Sequence, residues 1–334
     1  MNKNVIGIDI GGTNLRFGIV KKTGQIIHKI VRPTEADAGK NAVIKNIING
    51  IDEILYIAKV KKNSILGISL AAPGFIDIDK NIITFSPNLP GWRNVNLGRI
   101  VNDSLGIPVT IENDANAAAF GERWLGAGRN SSNLLCITMG TGIGGGIILD
   151  NKIWHGDKGM AGEIGHITVN PDGPLCNCGN YGCLEAYSSG TGIINRMIDA
   201  MKKGKKTALL SMIKNGINEI TPEKVFLAAK KGDQLSLELV KDAGRYLGIA
   251  ISDFANLLNI KTIILYGGLV SSFSLFAKRM KEEIIKRTIP SFSKEVRVLK
   301  AGLMQDAGII GAAGVVFQKN GLLRFCSVRH FRNN

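Results

Sequence analysis

A chain of 334 residues with 45% hydrophobic side chains is long enough for two domains, each with its own core, and no apolar run in it reaches the roughly eighteen residues of a membrane span. Its net charge of +15 sits on scattered lysines and short runs such as Lys202-Lys203-Gly204-Lys205-Lys206, which describes a solvated surface able to attract a polyanion rather than a nucleic-acid-binding stripe. Five cysteines, three of them crowded between Cys176 and Cys183, suit reduced thiolates on a metal better than a disulfide framework.

Met1 to Asn4 leads straight into Val5-Ile6-Gly7-Ile8-Asp9 without a charged leader and cleavable apolar segment, so a cytoplasmic protein with neither a membrane nor a nucleic-acid partner is expected. Val5 to Ile10 reads as a strand, Gly11-Gly12-Thr13-Asn14 as its turn, and Leu15 to Val20 as the returning strand. Ile44, Ile47, Ile48, Ile51, Ile54 and Leu55 fall at helical spacing and predict an amphipathic helix feeding a strand over Ile65 to Leu70. Pro108 to Glu112 predicts another strand, and Asn113-Asp114 stand immediately before an alanine-rich helix, Ala115 to Gly121. Leu134 to Thr138 then leads through a second glycine turn, Gly140 to Gly146, into the strand Ile147 to Leu149. Thr221-Pro222 has the cap and first-turn arrangement of a helix start, the apolar stretch Leu235 to Leu258 precedes a strand at Thr262 to Leu265, and Gly267-Gly268 end that strand. Asp306 to Phe317 closes the pattern as a helix of glycine and alanine suited to tight packing, and the residues from Arg324 to Asn334 form a basic tail carrying Cys326 and His330. Strands alternating with helices predict α/β layers, and the repeated glycine-tipped hairpin predicts a duplicated architecture that grips a ligand from both sides of a cleft.

The densest chemistry lies between Glu163 and Glu185, where Glu163-Ile164-Gly165-His166 is followed by Cys176-Asn177-Cys178-Gly179-Asn180-Tyr181-Gly182-Cys183-Leu184-Glu185. His166, Cys176, Cys178 and Cys183 supply the Cys₃His set of a closed tetrahedral Zn²⁺ site, and loss of the metal is expected to unfold the local loop. The two carboxylates and the outer nitrogen of His166 would then be fixed as the floor of a pocket for a polar ligand, since buried carboxylates accept paired hydroxyls well. Asp9-Ile10-Gly11-Gly12-Thr13-Asn14 has the parts of a phosphate loop: small residues exposing N–H groups, a hydroxyl, and a carboxylate placed to hold Mg²⁺ through water. Taken alone it is more readily a plain hairpin, but a second such stretch, Thr138 to Gly146 with Gly140, Thr141 and Gly142, points to phosphate. Gly267-Gly268 is either a turn or a gap admitting the flat face of adenine. Asn113-Asp114 is either an N-cap pair or a catalytic pair in which Asp114 accepts the proton of an attacking hydroxyl while Asn113 orients the same sugar. Cys136, inside a strand, reads as inert core.

Several of these motifs occur together and in order: Asp9-Ile-Gly-Gly-Thr-Asn14, Ala72-Pro-Gly-Phe-Ile-Asp77, Asn88-Leu-Pro-Gly-Trp92, Ile111-Glu-Asn-Asp-Ala-Asn116, Thr138 to Gly146, Gly162-Glu-Ile-Gly-His166 and Cys176 to Glu185. In them the chain resembles, nearly end to end, the sugar-kinase branch of the ROK family, within the actin-like ATPase (ribonuclease H-like) superfold. The resemblance implies a duplicated two-domain α/β fold: a small domain of residues 1–114 plus 303–320, a large domain of residues 115–302 holding a zinc knot at 166–183, and a basic extension, 321–334, without a counterpart. It implies hinges near 114 and 303 and closure over the ligand. It also implies an ATP- and Mg²⁺-dependent kinase acting on the 6-hydroxyl of glucose, with mannose, N-acetylglucosamine, N-acetylmannosamine and fructose as alternative hexoses, and a homodimer or homotetramer. By resemblance Asp114 is the base, Gly74 lies beside the sugar, and Asn113, Glu163, His166 and Glu185 contact its hydroxyls. Asp9, Gly12, Thr13, Thr141 and Gly142 would surround the Mg-ATP phosphates. Some members of the family are transcriptional regulators with a helix-turn-helix segment ahead of the phosphate loop. The few residues before Asp9 here, and the intact Asp114, make an enzyme the expectation.

Overall fold

Strand β1 (Asn4–Ile10) is apolar on both faces because helices cover both sides of the sheet it centres. The computed structural model describes residues 3–87, 89–213, 216–323 and 325. Asn88 of the Asn88-to-Trp92 motif, and Cys326 and His330 of the tail, lie outside the described residues. The chain divides into two compact units, Met1–Cys136 with Gly146–Gly162 and Ala301–Asn334, and Ile137–Gly145 with Glu163–Lys300.

In the first unit, β1 pairs antiparallel with β2 (Asn14–Val20), which pairs with β3 (Ile26–Pro33). On its other side β1 runs parallel to β4 (Ile65–Ala72) and β4 to β8 (Val109–Asn113), so the sheet order is β3-β2-β1-β4-β8. Ile6, Ile8 and Ile10 of β1 point into a core shared with Val43, Ile47, Ile51 and Ile54 of α1 (Lys40–Ile57) and Val101 of α2 (Leu97–Leu105). Between β4 and α2 a small antiparallel sheet folds from β5 (Phe75–Asp77), β6 (Ile82–Phe85) and β7 (Arg93–Val95).

The opposite face of the large sheet carries α3 (Asp114–Trp124) and α9 (Ala307–Lys319). Gly7 and Gly18 are cross-strand partners, and α9 crosses over that pair: a Cβ at Gly7 would stand 2.2 Å from the Ile309 carbonyl oxygen, and one at Gly18 2.5 Å from the Ile309 side chain. The same helix meets α3 with backbone against backbone. A Cβ at Gly311 would lie 1.7 Å from the Ala117 oxygen, and one at Gly121 2.5 Å from the Ala307 oxygen. α3, expected to open the second domain, therefore packs within the first unit, and its small residues are the reason. Glu122 on α3, fully buried, accepts the N–H groups of Ala127, Gly302 and Leu303 at 2.8, 2.9 and 2.8 Å, which fixes the chain where it re-enters this unit after Lys300. Of the basic tail, Phe325 packs edge-on against Phe120 and beneath the Arg123 guanidinium.

The hairpin of β9 (Leu134–Met139) and β10 (Ile143–Leu149) differs in detail from expectation. The turn is short, Gly140 to Gly142, and residues 143–146 are strand. Gly146 serves close packing instead of turning: its Cβ would fall 2.5 Å from that of Ala119 and 2.7 Å from the Ala115 oxygen. This hairpin belongs to a sheet of order β11-β10-β9-β12-β13, with β11 at Lys152–Ile153, β12 at Thr262–Tyr266 and β13 at Arg297–Lys300. The second unit adds the helices α4 (Leu184–Ser188), α5 (Gly190–Lys202), α6 (Pro222–Lys230), α7 (Gln234–Leu258) and α8 (Phe273–Arg287). The long apolar stretch is the single helix α7, capped by Asp233 through the Ser236 N–H. Cys136 is fully buried in β9, where burial pushes its thiol far above the ordinary range and Glu122 adds to the rise.

Gly311→Ala tests the α3–α9 contact. The added methyl gains about 1 kcal/mol of helix propensity but meets a main-chain oxygen that cannot swing aside. A net loss of about 1–2 kcal/mol is expected, read as a lower urea midpoint at unchanged slope; a raised midpoint would show that the two helices part freely.

Candidate active site and metal centre

In the first unit the β1–β2 turn is closed by the Gly11 N–H to the Asn14 carbonyl at 3.0 Å. Buried Thr34 holds it from behind, its N–H on the Thr13 carbonyl at 2.8 Å and its hydroxyl on the Gly11 carbonyl at 2.6 Å. Gly12 and Thr13 are left exposed, with open space where a Gly12 side chain would be. Asp9 faces the other way along the strand, 3.4 Å from Arg16 and packed against Gly308 in the first turn of α9. Burial raises its carboxyl above the usual carboxylate range, and the Arg16 guanidinium opposes the rise.

At the β8-to-α3 junction Asn113 is the N-cap, its Oδ1 accepting the N–H groups of Ala115 and Asn116 at 2.9 and 3.1 Å. Its Nδ2 donates to the Gly74 carbonyl at 3.1 Å, so Gly74 and Asn113, predicted together, meet. Gly74 needs to be glycine: its φ is +109°, and a Cβ would lie 2.3 Å from the Phe85 oxygen. Asp114 follows as the first residue of α3, with Oδ1 receiving its neighbour's N–H, that of Ala115, at 2.9 Å. Two residues that sequence reasoning passed over complete this corner. Glu112 is buried, and one of its oxygens accepts the Asn113 N–H at 3.0 Å and the Asn116 amide at 3.1 Å; the other faces His155 Nε2 at 2.8 Å. A carboxylate between two site residues and a buried strand was the available signal.

In the second unit the turn Gly140-Thr141-Gly142 is bound to the start of α5, beyond the cysteines. The N–H groups of Gly190 and Thr191 donate to the carbonyls of Gly140 and Thr141 at 2.8 and 3.2 Å, and Thr138 Oγ1 accepts the Gly144 N–H at 3.1 Å. Glu185, expected to meet a sugar hydroxyl, commits Oε2 to the Ile143 N–H at 2.7 Å and lies directly against Gly142, where a Cβ would be 2.5 Å away. Glu163 stands close by with its side chain 44% exposed; desolvation chiefly, opposed by His166 and reinforced by Glu185, raises its carboxyl. Gly267 has a φ of +111° and lies against the Met139 backbone, whereas Gly268 has open space beside it.

His166, Cys176, Cys178 and Cys183 present four ligand atoms that all lie within 4.8 Å of one another. Cys178 and Cys183 sulfurs are 3.6 Å apart and Cys176 Sγ is 3.8 Å from His166 Nδ1. Tetrahedral Zn²⁺ with sulfur ligands at about 2.3 Å requires sulfur separations of about 3.8 Å, so this donor set fits the ion. The four cysteines among the described residues are free thiols. Nδ1 points to the sulfurs and Nε2 points to Glu163 Oε2, 3.8 Å away, the relation of an outer ring nitrogen to a carboxylate beyond a metal.

The fold is the actin-like ATPase fold shared with ROK kinases of known structure. The family model for ROK matches residues 5–319, and the chain belongs to the ROK family. A glucokinase of Halalkalibacterium halodurans is 38% identical over 94% of this chain and 95% of its own. A ROK family glucokinase from Streptomyces griseus, solved with glucose and AMPPNP, superposes with a TM-score of 0.76 at 32% identity, covering 94% of this chain and 99% of that one. A ROK family transcriptional regulator, homolog of the E. coli MLC protein, superposes with a TM-score of 0.83 at 26% identity, covering 96% of this chain and 80% of that one.

Cys178→Ser is expected to remove zinc from the protein, measured by elemental analysis against about one equivalent in the parent. Equal metal content in the two would exclude this ligand set.

Proposed function

We propose that this chain is an ATP-dependent hexose kinase that transfers the γ-phosphoryl group of ATP to the 6-hydroxyl of glucose. The observation that carries this reading is the strand-to-helix corner Glu112-Asn113-Asp114, tied to Gly74, in a chain whose Streptomyces griseus relative was solved with glucose and AMPPNP. The oxygen of the hydroxyl attacks the γ-phosphorus, its proton passes to the Asp114 carboxylate, and the bond to the ADP oxygen breaks. Little covalent help is needed, and alignment and charge neutralisation supply most of the rate.

Asp114, Asn113 and Gly74 are assigned to the sugar and Gly12, Thr13 and Asn14 to the phosphates, and Asp9 would hold Mg²⁺ through water. Glu163, the outer nitrogen of His166 and Oε1 of Glu185 are assigned to sugar hydroxyls. Thr141 and Gly142 belong to the phosphate group, and Gly268 to the adenine. His166, Cys176, Cys178 and Cys183 would hold Zn²⁺ in a structural part, fixing the His166 ring and the loop that carries the carboxylates. No helix among the described residues is long and apolar enough to cross a membrane. A homodimer or homotetramer is the expected assembly.

A sugar-sensing regulator is the second reading, favoured by the TM-score of 0.83 to the ROK regulator. It predicts a DNA mobility shift and no hexose phosphorylation. For the kinase, a coupled assay with ATP is expected to give glucose the highest kcat/KM among glucose, mannose, N-acetylglucosamine, N-acetylmannosamine and fructose. A better substrate in that panel would reassign the sugar. Asp114→Ala is expected to lower kcat by roughly 10²–10⁴ while glucose binding persists in calorimetry; retained turnover would remove Asp114 from the role of base.

A further inference from the structure

Glu112 is a carboxylate with 1% of its side chain exposed, two residues before Asp114, and its burial is tolerable only because both oxygens are occupied. Oε1 is turned toward α3, where it receives the Asn113 N–H and the Asn116 amide. Oε2 lies 2.8 Å from His155 Nε2. A carboxylate offers only acceptors, so Nε2 carries the hydrogen and donates.

His155 arrives from a different stretch of the first unit, just past β11. The Trp154 N–H is anchored on the Ile147 carbonyl at 2.8 Å, the His155 carbonyl receives the Ala161 N–H at 3.1 Å, and Gly156 makes the intervening turn at a φ of +64°. A little further on, Gly159 packs against the Ile76 carbonyl, where a Cβ would lie 2.7 Å away. The imidazole is therefore delivered by a loop fixed on both sides of it, and its side chain remains 32% exposed.

We propose that His155 is a positioning residue for phosphoryl transfer: by holding the buried Glu112 carboxylate it sets the backbone register of Asn113 and Asp114. This rests on the kinase reading and on Asp114 as the base. Without the imidazole, Glu112 Oε2 is buried with its donor gone, and the side chain must turn toward water. That change weakens its grip on the Asn113 N–H and on Asn116. Asn113 is the cap that sets where Asp114 begins the helix, so the base shifts relative to the hydroxyl, and a misplacement near 1 Å is enough to cost about 10²-fold in rate. His155 touches none of the groups assigned to ATP, so nucleotide affinity should stay.

The experiment measures kcat and both KM values for the full chain and for His155→Ala, His155→Gln, Glu112→Gln and the double variant His155→Ala with Glu112→Gln, with Asp114→Ala alongside. His155→Ala is expected to lower kcat about 10-fold or more with the KM for ATP within about twofold. His155→Gln keeps an N–H donor for Glu112 and is expected to recover most of that loss. The double variant is expected to be no slower than the slower single variant, because the two side chains act as one unit. Wild-type kcat in His155→Ala, a His155→Gln variant as slow as His155→Ala, or losses that multiply in the double variant would each overturn the proposal. An active parent with inert Asp114→Ala and unimpaired His155→Ala removes the role of His155 alone; a parent inert toward every hexose removes the kinase reading and this inference with it.

Discussion

Helix α9 can lie where it does only because no side chain separates it from the backbones of β1 and α3. Gly7 and Gly18 let it settle on the sheet, and Gly311 and Gly121 bring it onto α3. These contacts matter for function because β1 ends in Asp9 and the Gly11-to-Asn14 turn, while α3 begins at Asp114. Within the first unit, one helix thus fixes the spacing between the residues assigned to phosphate and the residue assigned to proton transfer. Packing of this kind resists small displacements, since main-chain atoms in contact have no rotamers to yield.

The second unit uses the same device around its own turn. Glu185 lies against Gly142 and holds the Ile143 N–H, and Gly165 comes within a would-be Cβ distance of 2.2 Å from the Ile143 carbonyl. The residues that bracket the cysteines are consequently part of the glycine turn, and a metal bound at His166 and the three thiols would stiffen both at once.

Carboxylates that sequence patterns pass over carry much of this order. Glu112 and Glu122 sit on neighbouring elements, β8 and α3, both are buried, and each has among its N–H donors one from a distant stretch of chain, His155 for Glu112 and Gly302 and Leu303 for Glu122. Each converts the cost of a buried charge into a fixed relation between stretches distant in sequence: Glu112 with the loop at His155, Glu122 with the return of the chain at Gly302.

Much of the fold was legible along the chain, because periodicity and capping are local. The hairpin at Gly11, the helix beginning after Asn113 and the last helix followed from spacing, caps and glycine alone, whereas the apolar stretch from Leu235 to Leu258 declared itself a single helix only in the structure. The clustering of His166 with the three cysteines was legible as well, since they lie close in sequence and their residue types have few other uses in such a group. Tertiary structure alone decided that Gly144 to Gly146 are strand, that α3 packs in the first unit, that Gly267 serves backbone contact, and that Glu185 spends one oxygen on Ile143. The same holds for the partnership of Glu112 with His155, 43 positions apart. Local sequence specifies what a residue can donate, accept or bend. Which partner meets it depends on how strands and helices pack, and that depends on the whole chain.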